Sequence, residues 1–226
     1  MEEHLLYPGH PKFEPKKWNK KYVLKSHNCY AYAMNTVKKR FVKTCKKFDK
    51  LSIKRKTLKK RQLRQKLINI YDNWDWETIK PKKDICPYVR PQIGAFSKTV
   101  KTLYRSLFDV NSKNVEKMLL KDNPKIKKLK KTDKCPMGYY RIYLFTWKNN
   151  EKKKGDYHFL RQDNTGLWSH KNGVGKAYLL RITPEKYIEK EKDKIKRKKS
   201  KTIIDVCGYY AVPIKGRRNL GSLYFI

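Results

Sequence analysis

Acidic residues are scarce in this chain. Its 226 residues include 20 Asp and Glu against 58 Lys and Arg, which gives a formal net charge of +38. Charge of one sign repels itself in a compact protein, so this excess indicates a polyanionic partner: nucleic acid, an acidic or phosphorylated protein, or an anionic membrane surface. The alternative is an AT-rich genome that inflates lysine. Such a bias does not explain why the number of acidic residues is not raised as well.

Cysteines are few, and long apolar runs are missing. The five cysteines are widely spaced and include no CxxC pair, so we expect no structural zinc site, no other metal, no cofactor and no disulfide framework. Free thiols fit a reducing compartment. No apolar run approaches the roughly 20 residues of a membrane span. The N-terminus lacks the basic start and apolar core of a signal peptide. We therefore expect a soluble protein, without a membrane span, made in a cytoplasm.

The order of hydrophobic patterns predicts the fold class. Hydrophobic residues make up 38% of the chain, enough for one sizeable core. Prolines mark residues 1–24, which we expect to form an extended N-terminal arm. Residues 25–226 are expected to form a single domain, in which helical periodicity comes first and alternating strand patterns follow. This order predicts an α+β fold with helices packed on one mainly antiparallel sheet.

Two strongly basic stretches, near 38–66 and 185–201, are expected to be insertions in this domain. The first contains a single acid, Asp49. It is either a solvated helix face or a polyanion contact, and the small number of aromatic residues among its basic residues argues for phosphate or acidic-surface contact over base stacking. The polyanion-binding residues expected here are Arg55, Lys56, Lys59, Lys60 and Arg61.

A strand–turn–strand pattern near the middle of the chain contains two of the five histidines. The pattern alternates apolar and polar residues, turns at Asn164-Thr-Gly166, and alternates again. A hairpin of this kind would bring His158 close to His170. Two adjacent imidazoles can serve as a general base and the group that orients it.

A nucleophile for these imidazoles is available far upstream. Cys29 follows Asn28, a residue type that caps helix N-termini, so the thiol is predicted at the start of a helix. A helix N-terminus and an imidazolium both lower a thiol pKa, so Cys29 paired with His158 should alkylate rapidly at pH 6. The alternative is a buried core thiol without chemistry.

Several short motifs together resemble one protein family. Its marks here are Asn28-Cys-Tyr-Ala-Tyr-Ala33, Arg90-Pro-Gln-Ile-Gly94, the segments 156–163 and 166–171, and Cys207-Gly-Tyr-Tyr210. The set resembles the papain-like, NlpC-type cysteine hydrolases of bacteria and large DNA viruses. The family has Pro-Gly after the glutamine, where this chain has Ile93 and Gly94.

The resemblance implies a papain-like domain with basic helical insertions and a catalytic set of Cys29, His158 and His170. Such an enzyme is a peptidase or amidase that cleaves its substrate through a thiol acyl-enzyme. The resemblance also implies a virus-encoded protein, found in the virion or the host cytoplasm. The alternative function is a non-catalytic structural or minor capsid protein of a large DNA virus, whose basic surface binds DNA or acidic capsid proteins.

Overall fold

A computed structural model describes residues 7–70, 86–99, 110–151, 154–216 and 218–222. The helices are α1 (Pro15–Trp18), α2 (Lys21–Ser26), α3 (Cys29–Ala33), α4 (Lys39–Asp49), α5 (Ile53–Ile70), α6 (Cys86–Val89), α7 (Ser112–Asp122) and α8 (Pro184–Arg197). The strands are β1 (Lys127–Leu129), β2 (Tyr139–Asn149), β3 (Lys154–Gln162), β4 (Trp168–Lys171), β5 (Ala177–Leu180) and β6 (Thr202–Pro213).

All six strands form one sheet in the order β1-β6-β2-β3-β4-β5. Every neighbouring pair is antiparallel. The two longest strands, β2 and β6, lie side by side at the centre, and both are rich in the aromatic and β-branched residues that favour strands. The predicted α+β class, with helices packed on a mainly antiparallel sheet, is confirmed.

The two faces of the sheet carry helical layers of different size. Side chains alternate along a strand, so consecutive residues contribute to opposite layers. On the first face, residues such as Ile142 and Phe159 pack with α2, α3, α4 and α7 in the larger core. On the second face, Tyr143, Phe145 and Leu160 form a smaller cluster with Ile188 of α8.

The N-terminal arm differs from the extended segment expected for residues 1–24, of which residues 1–6 lie outside the described ranges. It contains α1 and most of α2. Pro15 fits the first turn of α1 because its fixed φ suits a helix and its missing N–H needs no partner there. Trp18 anchors the arm in the core and is fully buried. The arm is also tied to the hairpin turn, where Asn164 O accepts from the Tyr7 N–H at 3.1 Å.

A buried guanidinium joins three parts of the chain. Arg161 on β3 donates through Nε and Nη2 to Asp163 Oδ1 at 3.0 and 2.7 Å, and both side chains are fully buried. It also donates to the carbonyl of Tyr32 in α3, at 3.2 Å, and to the carbonyl of Lys12 in the arm, at 3.0 Å. The guanidinium lies over the Tyr32 ring at 4.1 Å. The charge is therefore paired and hydrogen-bonded, as burial requires.

The two basic stretches do not behave alike. Within 38–66, α4 is part of the core because Phe41, Cys45 and Phe48 are buried. The following helix, α5, exposes Arg55 and the residues near it. The stretch 185–201 is mostly α8, which packs on the second face of the sheet. No helix in the described ranges is both long and apolar enough to span a membrane.

One expectation about the cysteines is wrong. A disulfide joins Cys45 of α4 to Cys86 of α6, across a sequence separation of 41 residues. The wide spacing of the cysteines gave no sign of this bond, because folding brings α4 and α6 together from distant parts of the chain. Cys29, Cys135 and Cys207 are free.

Replacing Arg161 with methionine should strongly destabilise the protein. Arg161→Met keeps much of the buried volume but leaves the Asp163 carboxylate buried without its partner. Such a change costs about 3–5 kcal/mol of unfolding free energy. Urea unfolding of both proteins would measure the loss.

The matched control is Lys194→Met, which removes a cation from the exposed Lys194–Glu191 pair on α8. Exposed pairs contribute less than about 1 kcal/mol, so this variant should unfold almost like the wild type. Equal losses of unfolding free energy in the two variants would show that the buried Arg161–Asp163 pair contributes no more to stability than an exposed pair.

Candidate active site

Cys29 is the first residue of α3, where the sequence placed it. The Asn28 side chain caps this helix, because its Oδ1 accepts from the Ala31 N–H at 3.3 Å. Its Nδ2 donates to the carbonyl of Pro91 at 2.8 Å. The cap therefore fixes the start of α3 and binds it to the segment that follows α6.

The Cys29 thiol lies against the open edge of β3. Strand β4 pairs with β3 only from Leu160 onward, so the main chain before this residue has no strand beside it on that edge. Cys29 Sγ donates to the carbonyl of Tyr157 at 3.7 Å and also interacts with the Phe159 N–H. The sulfur therefore contacts the main chain on both sides of His158.

His158 and His170 form a hydrogen-bonded pair. His158 Nε2 lies 3.0 Å from His170 Nδ1, with the two rings nearly perpendicular. Leu160 is the residue opposite His170 in the ladder, so the two histidines are diagonal neighbours on paired strands. The edge of the Phe145 ring packs against His158.

The imidazoles and the thiol approach β3 from different faces of the sheet. Tyr157 and Phe159 point into the larger core. His158 lies between them on β3, so its ring points to the opposite, second face of the sheet, where it contacts Phe145. Cys29 arrives with α3 from the first face. In the described part of the chain, the thiol donates to the Tyr157 carbonyl and makes no hydrogen bond to an imidazole.

The pKa shifts run opposite to those expected from the sequence. Burial raises the pKa of Cys29 to about 12, and the nearby Asp156 carboxylate adds to this, against smaller opposing effects of the Phe159 N–H and Lys171. Burial also lowers the pKa of His158 to about 3, with a further contribution from His170. Helix α3 has only five residues, too few for a strong dipole, so desolvation dominates. The resting pair is a neutral thiol and a neutral imidazole.

Helix α8 closes the site on the second face. The Tyr187 ring contacts the His170 ring, with 5.3 Å between centroids. Only 6% of His170 and 5% of Cys29 is exposed. The stretch 185–201 was expected only to be a basic insertion, and the structure shows that it covers part of the site. Nothing in the sequence around Tyr187 indicated this contact.

Lys171 is a site residue to which the sequence analysis gave no role. It follows His170 in β4, so its side chain points to the opposite face, toward the helices. It is fully buried, and its Nζ donates to the carbonyl of His27 at 2.7 Å. The strand alternation that placed His158 and His170 together could have placed Lys171 beside α2 and α3.

The residues predicted to bind a polyanion lie on α5. Arg55, Lys59 and Arg61 are exposed on α5. Lys56 is partly buried, and its Nζ donates to the carbonyl of Asp49 at 3.0 Å. The side chain of Lys60 lies outside the described residues.

Metal-binding groups and similarity to known proteins give no further information on this site. Among the residues that the structure describes, no group of three or more His, Cys, Asp and Glu side chains could hold a metal ion. In comparisons with known proteins, no family model, curated protein or solved structure matches the chain.

Acid should weaken the fold through His158. Unfolded His158 takes up its proton near pH 6.5, whereas the folded residue does so only near pH 3. The unfolded state therefore binds more protons in this window, so stability is fully present above pH 6.5 and falls as the pH drops toward 3. At pH 4.5 the expected loss of unfolding free energy from this histidine is about 3 kcal/mol.

Urea unfolding at pH 7 and pH 4.5 would measure this effect in the wild type and in His158→Asn. The variant should lose less stability between the two pH values, whatever its stability at pH 7. The same loss in both proteins would mean that His158 takes up its proton in the fold as readily as in the unfolded chain.

Proposed function

We propose that the protein is a papain-like thiol hydrolase that cleaves an amide or peptide bond. The observation that carries this proposal is the 3.0 Å contact between His158 and His170 beside a thiol held at the start of α3. A nucleophile, a base and a group that orients the base are the three parts that such chemistry needs. The motif set that resembles NlpC-type hydrolases supports the same assignment.

The neutral resting pair favours general-base activation over a preformed ion pair. In the useful tautomer, His158 donates through Nε2–H to His170 Nδ1. His158 Nδ1 then has a lone pair that can accept the proton of the Cys29 thiol. Because the thiolate is not stabilised in advance, proton transfer and attack on the carbonyl carbon would occur together.

The reaction then follows acyl transfer. Cys29 Sγ forms a bond to the substrate carbonyl carbon, and its proton passes to His158. His158 returns this proton to the leaving amine nitrogen as the C–N bond breaks, which leaves a thioester on Cys29. A water molecule, deprotonated by His158, attacks the thioester and releases the acid, and the thiol regains its proton.

Two contacts must change before a substrate can react. Cys29 must give up its hydrogen bond to the Tyr157 carbonyl and turn toward His158. The buried side chains of Cys29 and His170 must also become accessible to the substrate. Tyr187 on α8 is the covering contact described on the second face, so movement of α8 is the simplest route to the imidazoles.

The test is acylation by p-nitrophenyl acetate, a small ester that needs no specific subsite. The wild type should release a burst of p-nitrophenolate and carry an acetyl group on the Cys29 peptide by mass spectrometry. His158→Asn should lower the acylation rate by about 10²-fold or more, because the base is removed.

The control for this experiment is the free thiol of Cys135, which is partly exposed. Cys135→Ser should leave the burst unchanged, whereas Cys29→Ser should remove it. Acetylation of Cys135 with none on Cys29, or a rate at Cys29 that does not depend on His158, would contradict a thiol hydrolase.

A second candidate is a non-catalytic protein that binds a polyanion, such as DNA or an acidic capsid protein, in a virus particle. Two observations favour it. The thiol is buried with a pKa near 12, as for an inert core cysteine. In addition, α5 contains no acidic residue, and Asp49, the one acid of 38–66, is bound by Lys25 at 2.9 Å. Helix α5 is therefore positively charged, with no acid of its own to compensate the charge.

Replacing the basic residues of α5 should weaken binding to DNA and reduce its dependence on salt. We expect tight binding at low salt, without sequence preference, because lysine contacts phosphate as a point charge. The slope of log K against log salt should fall in magnitude by about 0.9 for each phosphate that the variant no longer neutralises. Fluorescence anisotropy with two unrelated duplexes would measure the slope for the wild type and for a glutamine variant at Arg55, Lys56, Lys59, Lys60 and Arg61.

A glutamine variant with the same change in net charge is the matched control. Its five substitutions lie around β1, at Lys125, Lys127, Lys128, Lys130 and Lys131. If α5 binds the DNA, the control keeps most of the wild-type slope. Equal slopes in the two variants would indicate that net charge alone acts, and no binding at low salt would leave genome composition as the source of the lysines.

A further inference from the structure

Lys171 is the one lysine that the described part of the chain buries completely. Its ammonium donates to three carbonyls, those of Gly173 at 2.6 Å, His27 at 2.7 Å and Leu24 at 3.4 Å. All three of these acceptors are neutral. Burying a charge costs several kcal/mol per ion unless good hydrogen bonds compensate it, so a fully buried ammonium bound to neutral groups calls for a reason.

The carbonyls that Lys171 binds include those at the end of α2. His27 is the residue that follows this helix, and it precedes Asn28 and Cys29 directly. A helix ends with carbonyls that have no partner within the helix, and a cation binds them favourably. Lys171 therefore fixes the short connection from which α3 and its thiol start.

Adjacent residues of β4 hold the two halves of the candidate site. His170 points to the second face and contacts His158. Lys171 points to the first face and binds the segment before Cys29. Because both side chains leave one short strand, β4 fixes the position of the thiol relative to the imidazole pair.

Lys171 also acts on the thiol through its charge. Its positive charge lowers the pKa of Cys29, against the larger effect of burial, and Cys29 in turn raises the pKa of Lys171. The other charged or titratable groups that act on this ammonium or respond to it are Arg90 and His27. Burial, together with Arg90, lowers the pKa of Lys171 to about 7.

We propose that Lys171 is a positioning residue of the thiol site, which holds the start of α3 on β4 and favours the thiolate of Cys29 by its charge. This inference rests on the proposed hydrolase function. A purely structural role would be served by the hydrogen bonds alone and would leave the ionisation of the thiol unchanged.

The experiment compares Lys171→Met, which removes the charge, with Lys171→Arg, which keeps it. The readout is the pH dependence of Cys29 alkylation by iodoacetamide, followed by peptide mass spectrometry, with circular dichroism to check the fold. At pH 6, where Lys171 is mostly protonated, Lys171→Met should lower the rate about tenfold, and the two proteins should converge above pH 8, where Lys171 is neutral. Lys171→Arg should remain within about threefold of the wild type, and Cys135 labelling should be unchanged in both. A folded Lys171→Met with the wild-type profile would overturn the inference.

A second measurement does not depend on the folding of a Lys171 variant. In the wild type, the logarithm of the Cys29 alkylation rate should rise with pH with a slope of one below pH 7 and then bend to a smaller slope near pH 7, where Lys171 loses the charge that favours the thiolate. A straight line of slope one through pH 7 would also overturn the inference.

These readouts separate the inference from the proposed function, because they monitor the thiol and not turnover. A Lys171-dependent thiol without acylation by p-nitrophenyl acetate would refute the hydrolase and leave the electrostatic coupling. Acylation with unchanged profiles in Lys171→Met would refute the role of Lys171 alone.

Discussion

The buried pair of Arg161 and Asp163 is the interaction on which the arrangement of the chain depends. A guanidinium with no exposed surface must find hydrogen-bond acceptors inside the protein, and those that it finds come from the arm, from α3 and from its own strand. The need to satisfy one charge thus brings three distant segments together. The helix that begins with Cys29 is held at its far end by this cluster and at its start by Asn28 and Lys171.

The candidate site combines two opposing requirements. Catalysis by a thiol needs the sulfur ionised at the moment of attack, whereas the burial that positions Cys29 favours the neutral form. Asp156 adds to the effect of burial on the thiol pKa, and Lys171 opposes it. The balance favours a resting state in which the thiol is neutral and unreactive. Such a state would protect the cysteine from oxidation, because the thiolate is the form that is oxidised.

Local patterns predicted the parts of the fold that local physics decides. The cap at Asn28, the hairpin that pairs His158 with His170, and the central strands β2 and β6 follow from residue types at fixed spacing. Long-range packing was not predictable in this way. The disulfide, the place of α4 in the core, and the contact of Tyr187 with His170 all join segments far apart in sequence. The thiol pKa was misjudged for the same reason, since burial is a property of the whole fold.

The disulfide between Cys45 and Cys86 makes the intervening chain, including all of α5, a covalently closed loop. A protease that cut an exposed bond in this loop would not release a fragment, because both ends remain attached to the body of the protein. Separation of the chain into two covalent pieces would require a cut in the loop followed by reduction of the disulfide. The bond thus gives the segment with the most uncompensated positive charge a tether that is independent of non-covalent packing.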